Sequence, residues 1–110
     1  MVMSGIRPLN VVLSITGTVG VIVVAGELDV YSAPRLKQSV GEALRSQVGR
    51  IVLDLAGVSF IDVRGLEVLV EVARDARDRG AGIAIRHPSE SVVRVRDRVG
   101  LDETILPVEM

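Results

Sequence analysis

The stretch Ile51–Leu69, IVLDLAGVSFIDVRGLEVL, constrains this chain more than any other. An apolar run meets a Gly-bearing break, turns apolar again and reaches Asp62 where helical spacing begins. The pattern predicts a strand (Ile51–Leu55), a connection (Ala56–Ile61) and a helix (Val63–Arg79) with Asp62 as its N-cap. Leu66, Leu69, Val70 and Ala73 form the predicted buried face. Arg74, Arg77 and Arg79 collect near the C-terminal end, where cations suit the helix dipole, and Gly80 is the stop. Phe60, the one phenylalanine, is expected under the connection as core packing, on size alone. A helix start following a strand presents unpaired N–H groups, so this junction is the natural place for an anion, a phosphorylation switch or a docking surface.

The flanking segments supply a scaffold. Asn10–Thr16 is short and β-branched, Gly17–Gly20 is turn-like, and Val21–Ala25 is an unbroken apolar run. They predict an antiparallel hairpin whose second strand lies near the sheet centre. Gly26–Pro34 leaves the sheet. Ser32 followed by Pro34 signals a helix start, with Ser32 as the cap, and the helix Ala33–Gln47 buries Leu36, Val40, Ala43 and Leu44 before Gly49 ends it. Gly82–Arg86 is a fourth strand, broken by His87-Pro88. Ser89 opens a helix Glu90–Val99 with Val92, Val95 and Val99 on one side and Gly100 as its stop, although VVRVRDRV partly alternates like a strand. Leu101–Glu103 is expected to turn and Thr104–Val108 to form an edge strand. Residues 1–9 read as a flexible lead-in and 10–108 as one domain. The order β-β-α-β-α-β-α predicts an α/β fold, a mixed sheet with flanking helices.

Composition narrows the function. With 48% hydrophobic residues and 2% aromatic, the core must be aliphatic, as buried parallel sheets are. Thirteen basic and fourteen acidic residues leave a net charge of −1, which gives no footprint for nucleic acid or direct membrane insertion. There is no cysteine, no apolar run of membrane-spanning length and no signal-peptide layout, so a cytoplasmic domain is expected. The single histidine, His87, has no second His or Cys with which to hold a metal. Ser14, Ser32, Ser59 and Ser89 have no base at a recognisable spacing, and the glycines follow no nucleotide-binding pattern. Neither enzyme, cofactor nor metal is expected. Asp54 reads as a hydrogen-bonding residue at the strand–loop junction.

What remains is surface. The loops Glu27–Ala33 and Ser59–Gly65 leave the C-terminal ends of strands two and three. If those strands are parallel neighbours, the loops share one rim. Glu27, Asp29, Tyr31, Ser32, Asp62, Val63, Arg64, Gly65 and the exposed side of Leu66 are the candidate partner-binding residues. The plainer reading is that Glu27, Asp29 and Asp62 only cap helices and solubilise the surface.

Gly26-Glu27-Leu28-Asp29, Ala33-Pro34-Arg35-Leu36, Asp54-Leu55, Phe60-Ile61-Asp62, Gly65-Leu66 and Val99-Gly100-Leu101-Asp102 occur in an order that resembles the STAS domain of bacterial anti-sigma factor antagonists. The resemblance spans about Asn10 to Leu106. It implies a STAS-like (SpoIIAA-like) mixed sheet with flanking helices. It implies a signalling role in transcription regulation, exerted by binding a serine-kinase-like anti-sigma factor, as a monomer or weak homodimer. It also implies a phosphoacceptor in the pattern Asp-Ser-Ser/Thr-Gly-Leu. The matching residues are Asp62-Val63-Arg64-Gly65-Leu66, so Arg64 occupies the acceptor position and the usual switch cannot operate there. Arg64 is expected either to contact an acidic partner group or anion, or to swing into water; Ser59 is the nearest hydroxyl. STAS domains also serve as accessory subunits of ABC-type transporters and as scaffold subunits of sensory complexes, which is the alternative the resemblance leaves open. A small-ligand or nucleotide-binding domain is a third reading.

Overall fold

The computed structural model describes residues 8–100 and 106–109. Seven elements follow one another: β1 (Asn10–Thr16), β2 (Val19–Leu28), α1 (Ala33–Arg45), β3 (Arg50–Ile61), α2 (Val63–Asp78), β4 (Gly82–Arg86) and α3 (Glu90–Val99). The strands lie in the order β1-β2-β3-β4, with β1 antiparallel to β2 and β2, β3 and β4 mutually parallel. This is the mixed sheet expected from the sequence. The expected turn Leu101–Glu103 and the start of the last strand, Thr104–Ile105, lie outside the described residues, as does the lead-in up to Arg7. The rest of that last segment, Leu106–Glu109, makes an isolated parallel bridge from Val108 to Ile85. Leu9, assigned to the lead-in, is buried.

Alternation along β2 sets the layers. Ile22, Val24, Gly26 and Leu28 point into the core, whereas Val23 faces outward and is exposed. Ile51, Leu53 and Leu55 continue the inner face on β3. Leu36, Val40, Ala43 and Leu44 of α1 close over it, as do Leu66, Leu69, Val72, Ala73 and Ala76 of α2 and Val92 of α3. Each such aliphatic side chain contributes about 1.5–3 kcal/mol when fully buried, so the core is assembled without aromatics.

Six boundaries differ from expectation. β2 begins at Val19 rather than Val21, so Val19 and Gly20 are strand and not turn. β3 begins at Arg50 rather than Ile51, and α2 ends at Asp78 rather than Arg79. Three further ends shift. α1 stops at Arg45 rather than at Gln47, because Gln47 itself takes a left-handed φ of 60° and turns the chain before Gly49 is reached. β2 runs on to Leu28. β3 runs on to Ile61, so Ala56–Ile61 is strand and not connection. Two irregularities explain why β3 does not read as a strand. Between the pairs Val23↔Asp54 and Ala25↔Gly57, and again between Gly26↔Val58 and Glu27↔Phe60, β3 carries one residue more than β2. Each is a bulge that breaks the two-residue alternation. At the first, the Asp54 carboxylate accepts the N–H of Ala56 at 3.1 Å, which supplies a partner where the strand bulges.

Candidate functional site

The second bulge re-aims Phe60. Instead of packing in the core it is 45% exposed, opposite Glu27 on the neighbouring strand. The size argument fails here because the extra residue turns the ring to the outer side. Phe60 therefore joins Val30, Tyr31 and Val63, all exposed, at the end of the sheet where β2 and β3 terminate. Tyr31, at 89% exposed, is the most open large side chain of the rim.

The loop after β2 is held from within. Asp29 accepts the N–H groups of Tyr31 and Ser32 on one carboxylate oxygen, both at 3.0 Å. Ser32 donates its hydroxyl to the Glu27 carbonyl oxygen at 2.8 Å and accepts the Asp29 N–H at 3.0 Å. Ser32 stands at the N-cap position but makes no side-chain cap to α1. That expectation is corrected: Asp29 offers its N–H and Glu27 its carbonyl close by, and the hydroxyl is spent on them. The loop is a closed Asx-type turn that leads into the helix.

The junction after β3 follows expectation at its cap. Asp62 has extended backbone angles, and its carboxylate accepts the Gly65 N–H at 2.8 Å. Gly65 is buried and Leu66 is 3% exposed. The exposed side expected of Leu66 does not exist, because the fourth residue after the N-cap on this helix turns into the core between sheet and helix. Gly65 and Leu66 shape the rim from beneath; Asp62, Val63 and Arg64 face outward. Among the sequence-predicted residues, the structure thus brings Asp29, Tyr31, Asp62, Val63 and Arg64 to one rim.

Arg64 stands in the first turn of α2 and leans along that helix. Its side chain is 65% exposed, yet its guanidinium pairs with Glu67 one turn on, at 2.8 Å. The i,i+3 spacing was the available sequence signal for this contact. Beside it Lys37 of α1 reaches Glu71 of α2 at 2.6 Å. The Lys37 ammonium, by hydrogen bond and by charge, holds the Glu71 carboxyl below its ordinary range, and Arg64 adds a smaller pull in the same direction. Two cations and two anions therefore alternate around a shallow recess of about 110 Å³, floored by Val30, Pro34 and Val68. Exposed pairs of this kind are screened, so they orient the side chains more than they stabilise the fold.

His87, with a left-handed φ of 51°, is a surface turn residue whose Nδ1 lies 3.8 Å from Asp54. No cluster of His, Cys, Asp or Glu suited to a metal occurs among the described residues, and no helix among them is long and apolar enough to cross a membrane.

Known proteins resemble this chain in sequence and in fold. The anti-sigma-B factor antagonist of Bacillus subtilis (strain 168) is 34% identical over 82 residues, covering 74% of each chain. The anti-sigma F factor antagonist of Paenibacillus polymyxa is 32% identical over 92 residues, 81% of this chain and 78% of that one. In three dimensions an anti-sigma factor antagonist from Mycobacterium paratuberculosis superposes with a TM-score of 0.77 at 26% identity, covering 91% of this chain and 84% of that one. The family model of the STAS domain matches residues 10–110. With that span and those relatives, the chain belongs to the STAS domain family.

Proposed function

We propose that this chain is an anti-sigma factor antagonist that docks a kinase-like anti-sigma factor through the rim of Asp29, Tyr31, Asp62, Val63 and Arg64, without a phosphorylation switch at residue 64. The relatives named anti-sigma factor antagonists support the regulatory role. The module acts by binding rather than by catalysis, and in the cytoplasm, where such a partner resides.

The observation that carries the reading is Arg64 itself. It stands in the first turn of α2, exposed, at the position where the family resemblance calls for a hydroxyl. A guanidinium accepts no phosphoryl group, and the dipole disfavours a cation there by about 0.3–1 kcal/mol. Glu67 offsets that cost and keeps the guanidinium folded along α2. Tyr31, Val63 and Phe60 then offer apolar area beside the acidic turn, the mixture that suits a protein partner.

The test is to capture the kinase-like anti-sigma factor from the native cytoplasm with the wild-type chain and with Arg64→Ser, then add labelled ATP. Both should bind, and only Arg64→Ser should take up label. No capture by either chain, or label on the wild type at Ser59, overturns the reading.

A further inference from the structure

The two edges of the sheet are treated differently. Outside β4 lies the segment Leu106–Glu109: the Ile85 N–H donates to the Pro107 carbonyl oxygen at 2.8 Å, and the Glu109 carboxylate is held by Arg86 and Arg50. Outside β1 no described segment pairs. Natural edges are blunted by charge, proline or a bulge. β1 has none of these: Asn10–Thr16 is uncharged, and its pairing with β2 runs in unbroken register. Val12, 50% exposed, and Ile15, 42% exposed, lie along it.

α1 packs on both β1 and β2 and presents Arg35, Gln38, Ser39 and Glu42 to a groove of about 300 Å³ beside Val11 and Leu13. Arg35 and Glu42 are two turns apart on one face, symmetric about the Gln38–Ser39 midpoint and opposite in charge. The Glu42 carboxylate has no partner among the described residues. Arg35 gives Nη1 to the Leu9 carbonyl oxygen and retains its other N–H groups.

We propose that a second copy of this chain occupies this edge, β1 against β1 in antiparallel register about Leu13. That axis sets Asn10 opposite Thr16, Val11 opposite Ile15 and Val12 opposite Ser14, with no like charges in contact. The same axis serves the helices. Strands lie about 4.8 Å apart, so an α1 seated over the β1–β2 seam and its mate stand about 10 Å apart, the spacing of packed helices. Running antiparallel, they bring Arg35 of each copy to Glu42 of the other. The interface is isologous and closes at two copies. Because the pairing is antiparallel, the two Asp62–Arg64 rims point in opposite directions and both stay open. The dimer is a bivalent module.

Sedimentation of the full chain, diluted from about millimolar to micromolar concentration, tests this. The wild type should dissociate from dimer to monomer across that range. Glu42→Arg and, separately, Val12→Lys should each raise the midpoint at least about ten-fold. The double variant Arg35→Glu, Glu42→Arg should restore the wild-type midpoint. A wild type monomeric throughout, or a dimer indifferent to Glu42→Arg, overturns the proposal. So does a double variant that keeps the wild-type circular dichroism and stays monomeric.

Discussion

The carbonyl of Leu28 faces Gly65 across the space a side chain would fill: a Cβ on residue 65 would overlap that carbonyl oxygen and lie 2.8 Å from Ile61 Cγ1. The end of β2 and the first turn of α2 therefore touch backbone to backbone, and this contact sets the Asp29 loop beside Arg64. Gly65→Ala gains about 1 kcal/mol of helix propensity and loses more, since the opposing atoms are backbone and cannot swing aside. The expected net loss is about 1–3 kcal/mol in urea unfolding. A variant as stable as the wild type would show that the two turns are not in register as described.

Asp62 is the cap on which the rim's geometry depends. Asp62→Ala should lower stability by about 1 kcal/mol, while Asp62→Asn, which keeps an acceptor oxygen, should lose only a fraction of that. Equal losses for both would mean that the charge, and not the hydrogen bond to Gly65, is what matters.

Ser32 closes the neighbouring loop instead of capping α1. Ser32→Ala leaves the Glu27 carbonyl and the Asp29 N–H without the partner they share. The expected cost is about 1–3 kcal/mol. Amide exchange should quicken at Asp29, whose N–H loses its acceptor, before it quickens in the core. An unchanged exchange rate at Asp29 would put the stabilising contact elsewhere.

These positions also show where a linear reading succeeds. β1, β4 and α3 match their sequence bounds residue for residue, because Gly17, His87-Pro88, Ser89 and Gly100 punctuate them with local chemistry. β2 and β3 run past the expected ends because Gly26 and Gly57 look like loop residues. Both are glycine for closeness instead: a Cβ on residue 57 would lie 2.8 Å from that of Ala25, and Gly26, at φ 105°, lies against Pro8 and Leu9. Bulges leave no such mark, so Phe60 reads as core and stands at the rim. Asp62 is legible as a cap because the cap is made within three residues. The Lys37–Glu71 pair joins two helices 34 positions apart (71 − 37), and nothing local announces it.

Arg64→Ser removes an exposed ion pair and also relieves a cation at a helix start. The two effects oppose each other and are each below about 1 kcal/mol. Unfolding free energies of the variant and the wild type from urea denaturation should agree to within about 0.5 kcal/mol. A large loss would mean that Arg64 has a structural duty and that its effects on docking cannot be read as recognition.

The clamp on Glu109 makes part of the fold's stability acid-labile. Hydrogen bonds and charge from Arg86, with Arg50 assisting, hold the Glu109 carboxyl below the usual glutamate range. A carboxyl whose folded value is depressed stabilises the fold above its unfolded value, near pH 4.3, and that contribution fades as pH falls through the folded value. Glu109→Gln removes the charge at every pH. The wild type should therefore melt above the variant at about pH 6, and the two curves should converge towards about pH 3. Glu71, depressed by Lys37, titrates in both proteins and cancels from the difference. Exchange of the Ile85 amide, which donates to Pro107, should be faster in Glu109→Gln at about pH 6. If the melting difference were the same at both ends of the range, the two arginines would not be reading the carboxylate's charge, and the Leu106–Glu109 segment would be held to β4 by its backbone bonds and the buried Leu106 alone.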